Sequence, residues 1–205
     1  LAACGDDDSD FATRPSEGSS SSVTPQSSDG ETSVSSSNEA KSSSSSVTPQ
    51  SSDSETSVST GTMTDSRDDQ TYKTVTIGTQ TWMAQNLNYE TANSYCYDDN
   101  ASYCSKYGRL YTWAAAMDSV GTLSTNGKGC GFGTTCSPTY PVRGICPEGW
   151  HLPTKAEFET LFTAVGSQSP AGKVLKSTSG WNSSGNGSDA FAFSALPAGF
   201  RDNDG

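Results

Sequence analysis

Three tyrosines close together in the chain, Tyr95, Tyr97 and Tyr103, have side chains well suited to holding a ligand. A phenol ring offers a flat apolar face and a hydroxyl that can donate or accept a hydrogen bond. Such rings can stack on the apolar faces of sugars, so we predict a glycan-stacking role for these three tyrosines. Two other aromatic residues, Trp113 and Trp150, are expected in the hydrophobic core instead.

Cys4 ends the sequence Leu1-Ala2-Ala3-Cys4, which matches the lipobox of bacterial lipoproteins. Small residues before a thiol allow a peptidase to fit the backbone and a transferase to alkylate the sulfur. The alternative is an unmodified cysteine near a terminus, and we predict lipidation. Each buried methylene contributes about 0.8 kcal/mol, so several acyl chains would anchor the chain to a membrane. The acidic run that follows, over residues 5–10, resembles the export tract of surface lipoproteins, which implies an outer-membrane lipoprotein facing the cell exterior.

The remaining cysteines predict disulfides, because a lipoprotein domain lies outside the cytoplasm, where disulfides persist. They are Cys96, Cys104, Cys130, Cys136 and Cys146. We pair Cys96 with Cys104 because they are near in sequence, and the pairing of the other three stays open. Since five is an odd number, we expect a partner beyond Gly205. A zinc site is disfavoured, because the sequence has no Cys-x-x-Cys and a single histidine.

The histidine and the acidic residues give weaker signals. His151 could be a general base, but no nucleophile motif surrounds it, so a packed, hydrogen-bonded histidine is favoured. Glu157 and Glu159 could form a carboxylate pair, although Glu157 has another role at a helix start. Residues 98–100 and 202–205 could offer oxygen atoms to calcium, but such stretches are more often turns. We predict no catalytic residue and no cofactor, with calcium as the weaker alternative.

The clearest element that must position these residues is a helix after Pro153. Thr154 and Glu157 form a capping box, and Gly166 supplies the stop. Its apolar residues share one face, at spacings of three and four: Phe158, Leu161, Phe162 and Val165.

The other predicted elements are shorter. Residues 72–83 predict a hairpin that turns at Gly78-Thr79, and residues 108–117 predict a helix with Trp113 on its apolar face. We further expect a disulfide-closed loop between Cys96 and Cys104, a long loop over 121–144, a helical turn over 171–176 and a strand over 190–196. Short strands mixed with helices and long loops predict an α+β domain.

The first 60 residues differ in composition from the rest of the chain. They contain 22 serines, and ten acidic residues against two basic ones, which predicts a disordered tether. A segment beginning at Val23 recurs at Val47, a repeat of 24 residues. We divide the chain into a lipobox remnant (1–4), a tether (5–60) and one domain (61–205). A net charge of −11 without a basic cluster argues against nucleic acid as a partner.

Four segments of the domain together resemble the Fibrobacter succinogenes major paralogous domain of secreted or lipid-anchored bacterial proteins. They are residues 79–88 (TQTWMAQNLN), 108–117 (GRLYTWAAAM), 146–154 (CPEGWHLPT) and 193–201 (FSALPAGFR). The chain stops before that family's Trp-Ser-Ser stretch and its terminal cysteine-containing strand, so we expect an incomplete C-terminus. The third segment and Glu157 also resemble the Leu-Pro-Thr-x-x-Glu element of formylglycine-generating-enzyme-like domains. That resemblance implies a loop-rich, C-type-lectin-like fold.

The leading functional hypothesis is a cell-surface lipoprotein that displays a non-catalytic binding or adhesion module. Its expected partners are the membrane, through the lipid anchor, and either plant-fibre polysaccharide or an envelope protein. The alternatives are a formylglycine-generating-enzyme-like catalytic domain and a purely structural envelope component.

Overall fold

A computed structural model describes residues 4–6 and 56–201, which form a mixed α/β fold around an antiparallel sheet. The sheet has five strands in the order β2-β3-β4-β1-β7. Every neighbouring pair in this sheet is antiparallel. The strands are β1 (Gly5–Asp6), β2 (Val58–Asp65), β3 (Gln70–Ile77), β4 (Gln80–Met83) and β7 (Trp150–His151).

A smaller sheet and four helices complete the described part of the chain. The smaller sheet pairs β5 (Ser94–Tyr95) with β6 (Leu110–Tyr111), again antiparallel. The helices are α1 (Ala101–Tyr107), α2 (Trp113–Ala116), α3 (Lys155–Ala164) and α4 (Gln168–Leu175), and a 3-10 turn covers Tyr97–Asp99. Among the described residues, none of the helices combines the length and apolar character that crossing a membrane requires.

The predicted hairpin is formed by β3 and β4, with Gly78 in the turn at a φ of 64°. Only glycine takes such a φ without steric cost, which explains why the chain reverses there. On one side of the hairpin Val75, Ile77 and Trp82 are buried. Alternation along the strands therefore places their apolar residues in the core, as the sequence predicts.

Helix α3 has the predicted capping box at its start. The Thr154 side chain accepts a hydrogen bond from the Glu157 amide, and the Glu157 carboxylate accepts one from the Thr154 amide. Leu161 is fully buried, and the Phe158 ring packs on Trp82 with centroids 5.2 Å apart. The apolar face of α3 thus closes the main core over the hairpin. That core also contains Val75, Ile77, Ala84, Val165, Ala171, Leu175 and Phe193.

The start of the described chain forms part of the large sheet. Gly5 lies opposite Trp82 of β4 on one side and His151 of β7 on the other. Cys4 is fully buried and forms a disulfide with Cys146. A second hydrophobic cluster surrounds this bridge and includes Tyr72, Met83, Leu87, Ile145 and Trp150. Residues 4–6, which the sequence divides between a lipobox and a tether, therefore fill a position between two strands.

The predicted helix over 108–117 is wrong for its first half. Gly108 ends α1 at a φ of 73°, residues Leu110–Tyr111 form β6, and α2 begins only after Thr112. Thr112 is extended, and its hydroxyl accepts a hydrogen bond from the Ala115 amide, so it acts as an N-cap. Trp113, expected in the core, is 57% exposed because it is the first residue of this short helix.

The predicted strand over 190–196 is also wrong. Ala192 and Ser194 both have a φ of 54°, in the left-handed region, so the segment cannot continue as an extended strand. The Asp189 carboxylate holds this conformation by accepting hydrogen bonds from the Ser194 amide and hydroxyl. Within this segment Ala195 forms one isolated parallel β-bridge, with Lys176. Phe193 is nevertheless buried in the main core.

Two further elements differ from the sequence prediction. Strand β2 begins at Val58, inside the segment predicted as tether, and pairs along its whole length with β3. The loop predicted between Cys96 and Cys104 contains a 3-10 turn and the first half of α1. Asn100 starts that helix by accepting a hydrogen bond from the Ser102 amide. The rest of the predicted tether lies outside the described residues.

The long loop over 117–149 is ordered by polar contacts rather than by strands or helices. The buried Asp118 carboxylate accepts hydrogen bonds from three consecutive amides, those of Thr122, Leu123 and Ser124. The Cys130–Cys136 disulfide closes a turn within the loop. The Ile145 amide returns the chain to α2 by donating to the Ala116 carbonyl.

Candidate functional site

The candidate site is a cluster of tyrosines carried by the 3-10 turn and α1. The Cys96–Cys104 disulfide, with Cα atoms 4.9 Å apart, ties the residue before the turn to the middle of α1. The Tyr97 ring therefore lies beside that of Tyr103, with centroids 5.6 Å apart. One helical turn later, the Tyr107 ring lies 6.0 Å from Tyr103. We call Tyr97, Tyr103 and Tyr107 the tyrosine face.

The rings of the tyrosine face are not coplanar. Tyr97 and Tyr103 meet edge to face at an interplanar angle of 72°, whereas Tyr103 and Tyr107 are tilted by 35°. Tyr97 is 43% exposed, and the other two are half-buried. All three side chains therefore present part of their surface to solvent in a fixed arrangement.

Of the three tyrosines predicted to stack on glycans, the structure brings Tyr97 and Tyr103 together. Tyr95 lies in β5, and the Arg201 guanidinium carbon is 4.3 Å from its ring centroid, a cation–π contact that occupies one side of the ring. Tyr107, which sequence reasoning missed, takes the third position. Its signal was the spacing of four from Tyr103, which is visible only once 101–107 is recognised as a helix.

The segment at 199–201 supports the tyrosine face from the far end of the described chain. The Arg201 guanidinium donates to the Asp99 carboxylate at 2.8 Å, across 102 positions of sequence. Gly199 lies so close to Tyr97 that a Cβ atom would come within 2.6 Å of the ring. A side chain at this position would have to displace Tyr97.

The charges around the tyrosine face are of both signs. Asp98 and Asp99 belong to the same turn as Tyr97, and Arg201 pairs with Asp99. The Lys106 ammonium lies 4.8 Å from the Tyr107 ring centroid, and its hydrogen bond to Tyr107 raises the pKa of Lys106. The face consequently has no positive excess, and its chemistry is that of stacking and hydrogen bonding.

His151 is placed as a structural residue. It is buried, and its Nε2 lies 2.7 Å from the Glu157 carboxylate, the same carboxylate that completes the α3 capping box. Burial alone would raise the pKa of Glu157, but hydrogen bonds from the Thr154 amide and hydroxyl and from His151 lower it. Both groups therefore fix the start of α3 to β7. Glu159, the other member of the pair considered above, lies 3.3 Å from exposed Lys155.

All six cysteines of the chain lie in disulfides: Cys4–Cys146, Cys96–Cys104 and Cys130–Cys136. Cys96 pairs with Cys104 as predicted from sequence. From sequence, we expect one of Cys130, Cys136 and Cys146 to have its partner beyond Gly205. In the structure Cys130 pairs with Cys136, and the partner of Cys146 is Cys4. Cys4 was set aside in the sequence argument as the lipidation site. Its sulfur cannot carry a thioether while it is bonded to Cys146, so its lipidation stays a prediction about a form without this bridge.

The structure describes only one of the two stretches that could offer oxygen atoms to calcium, residues 98–100. Asp99 is engaged with Arg201, and residues 202–205 lie outside the described residues. Within 4–6 and 56–201, no group of three or more histidine, cysteine or acidic side chains is arranged to hold a metal ion.

Comparison with known proteins gives one match. The model of the family described as "Fibrobacter succinogenes major domain" matches residues 75–205, which is more than half of the chain. The matched range contains the tyrosine face, α3 and the 146–154 segment. No curated protein and no solved structure matches. The chain therefore belongs to the Fibrobacter succinogenes major domain family.

Proposed function

We propose that the chain is a surface-displayed lipoprotein whose domain is a non-catalytic binding module for polysaccharide. The observation that carries this proposal is the tyrosine face, where the ring centroids of exposed Tyr97 and half-buried Tyr103 lie 5.6 Å apart. Aromatic side chains with a polar edge are suited to ligands that have both apolar faces and hydroxyl groups. An envelope protein is the competing ligand.

The state of the cysteines favours binding over catalysis. A formylglycine-generating type of enzyme would need a reactive cysteine pair or a bound metal. In the described structure every cysteine is in a disulfide, and acylation of Cys4 would release only Cys146, a single thiol and not a pair. The buried His151 is held by the carboxylate that caps α3. The Leu-Pro-Thr-x-x-Glu element has a structural explanation instead, since its threonine and glutamate are the two members of the capping box.

The fold proposal is a C-type-lectin-like domain. Its support is an arrangement of a small antiparallel sheet, helices α3 and α4, and a long loop over 117–149 that the Cys130–Cys136 bridge and Asp118 keep ordered. Ordered loops on a rigid scaffold are common carriers of binding residues.

The anchor proposal places the domain at the outer membrane, facing outward, with Cys4 as the acylated residue. With residues 5–6 released from the sheet, a flexible chain that ends where β2 begins at Val58 would span about 40 Å on average, which would hold the domain clear of lipid headgroups. In the acylated form the Cys4 sulfur is a thioether, and the bridge to Cys146 is open. The bridged form belongs to chains that have not been acylated.

Two cysteine variants test the anchor with a matched control. In a bacterial host that expresses the protein behind a lipoprotein leader, Cys4→Ser should shift it from the detergent phase to the aqueous phase. Cys146→Ser removes the same disulfide but leaves the acylation site, so it should stay in the detergent phase. If the two variants partition alike, the anchor proposal fails.

Retention on insoluble cellulose, xylan and pectin tests the binding proposal. The 205-residue protein should be retained by at least one of them and released by the matching soluble sugar. Retention on an envelope protein with no retention on any glycan would replace the polysaccharide proposal with the competing one.

A further inference from the structure

We propose that the tyrosine face binds a single chain of a neutral glycan, and that it does not bind the flat face of a crystalline polysaccharide or a polyuronate. This inference rests on the proposed polysaccharide-binding function and names the class of ligand. Three features of the site carry it: the angles between the rings, the rigidity of their support and the charges beside them.

The ring angles are incompatible with a flat crystalline surface. Several aromatic side chains can lie on such a surface together only if their planes coincide. Tyr97 and Tyr103 are 72° apart, so when one ring lies flat on a plane the other stands almost upright. A single glycan chain turns about its glycosidic bonds, so successive sugars can face differently oriented rings.

The spacing of the rings suits successive sugars along one chain. Centroid separations of 5.6 and 6.0 Å are close to the length of one pyranose residue in an extended glycan. The smaller tilt of 35° between Tyr103 and Tyr107 matches the gradual rotation between neighbouring residues of a twisted chain. The three rings would then contact up to three consecutive sugars.

The support of the site is rigid before any ligand binds. The Cys96–Cys104 bridge fixes Tyr97 relative to α1, Gly199 leaves no space for the Tyr97 ring to move toward it, and Arg201 clamps Asp99. Preorganised groups lose less side-chain entropy on binding, which favours a weakly interacting ligand such as a neutral sugar. These contacts fix the backbone on both sides of Tyr97 and place Gly199 against its ring, which opposes a rearrangement of the two rings on a flat surface.

The charges disfavour an acidic glycan. Asp98 and Asp99 flank Tyr97 directly, while Arg201 already contacts the Asp99 carboxylate and the Tyr95 ring. Lys106 lies at the opposite end of the tyrosine face, beside Tyr107. A uronate in register with Tyr97 would meet the Asp98 carboxylate, while the Arg201 guanidinium that could attract it is already paired with Asp99. A neutral glycan has no such repulsion.

Titration of the full 205-residue protein with defined probes tests the inference. The probes are cellohexaose, xylohexaose and mannohexaose as neutral chains, polygalacturonate as the acidic chain, and microcrystalline cellulose as the flat surface. We expect binding to at least one neutral hexasaccharide, and none to polygalacturonate or the crystalline surface. Tyr97→Ala and Tyr103→Ala should each weaken that binding about tenfold or more, the loss of one aromatic contact. Tyr97→Phe keeps the ring and should bind within about threefold of the unmodified protein.

Phe132→Ala is the matched control, because Phe132 is a 98% exposed aromatic residue in the separate Cys130–Cys136 turn. It should leave binding unchanged. Thermal unfolding of each variant shows that it is folded, and a leucine variant at the same position, which removes the aromatic ring but keeps apolar volume, replaces any alanine variant that is not. Binding to polygalacturonate or crystalline cellulose, with or without binding to the neutral chains, overturns this inference and leaves the proposed polysaccharide function standing. Binding to no glycan overturns both. If folded Tyr97→Ala and Tyr103→Ala still bind the neutral glycan with unchanged affinity, the binding site is not the tyrosine face.

Discussion

Cys4 and Cys146 are 142 positions apart in the chain and are joined by a disulfide that lies fully inside the second hydrophobic cluster. The bridge holds β1 beside β7, so that Gly5 and Asp6 fill the position between β4 and β7, next to the edge of the sheet. This covalent bond therefore keeps the segment in the fold, and the proposed acylation of Cys4 would require it to be open.

Removal of this bridge should destabilise the non-acylated protein more than removal of a local one. In the chain-entropy description, a bridge that closes a loop of this length contributes about 5 kcal/mol, and one that closes the short Cys130–Cys136 turn contributes about 2 kcal/mol. Denaturant unfolding of Cys4→Ala/Cys146→Ala and of Cys130→Ala/Cys136→Ala measures the difference. Equal losses would mean that residues 4–6 are not fixed in the sheet. Mapping of the oxidised protein by mass spectrometry should show the Cys4 and Cys146 peptides linked.

The elements that the sequence predicts correctly are those defined by near neighbours. The hairpin depends on alternation and on Gly78, and α3 depends on Thr154, Glu157 and an apolar stripe within eleven residues. Such signals are complete within one window of sequence, so no distant contact is needed to interpret them.

The elements that sequence misses depend on distant partners. Gly5 and Asp6 have no strand signal of their own, and they pair because β4 and β7 leave a space between them. Phe191 and Phe193 alternate with small residues as in a strand, but the Asp189 carboxylate bends the segment into positive φ. In the candidate site, Tyr97 and Tyr103 could be predicted from residue type. The support from Gly199 and Arg201, about 100 positions later, could not.

Removal of one partner of the Asp65–Arg67 ion pair should destabilise the protein strongly. Asp65 is buried, its carboxylate contacts Arg67 at 2.6 Å, and Arg67 also donates to the Ile145 carbonyl and lies over Tyr89. Asp65→Asn leaves the guanidinium without its counter-charge, which should cost about 3–5 kcal/mol in denaturant unfolding. Glu159→Gln, which breaks the exposed pair with Lys155, is the control and should cost at most about 0.5 kcal/mol. Similar values for both variants would contradict the buried position of Asp65.

The same carboxylate should make stability depend on pH in the acid range. Burial works to raise the pKa of Asp65, but hydrogen bonds and charge from Arg67 lower it below its ordinary 3.8. A lowered pKa in the folded state gives stability that is complete above the unfolded value and is lost as pH falls through the folded value. The free energy of unfolding should therefore decline as pH falls from about 5 to below 4, and Glu157, whose pKa is also lowered, should add to the decline. In Asp65→Asn the decline should be shallower, and an unchanged slope would assign it to other groups.

Three substitutions, two at the N-cap residue Thr154 and one at Leu161, separate the contribution of the α3 cap from that of its core face. Thr154→Ala removes the hydroxyl that caps the helix and should cost about 1 kcal/mol, whereas Thr154→Ser keeps the hydroxyl and should cost little. Leu161→Ala opens a cavity in the main core and should cost about 2–5 kcal/mol. Urea unfolding of the three variants gives the order. If Leu161→Ala is the mildest of them, the buried face of α3 is assigned wrongly.

Gly127 tests how closely the 117–149 loop folds back onto Met117, the residue after α2, and Gly172 in α4 is the control. A Cβ at Gly127 would lie 2.1 Å from the Met117 carbonyl oxygen, so Gly127→Ala must push the loop away, at a cost of about 1–3 kcal/mol. Gly172 lies within α4, and a Cβ there would meet no atom within 4 Å, so Gly172→Ala should stabilise the protein by about 0.5–1 kcal/mol. Both variants add one methyl group, and only its surroundings differ. Opposite shifts in melting temperature would show that the loop rests directly on the Met117 carbonyl, whereas a neutral Gly127→Ala would place the loop further from the helix.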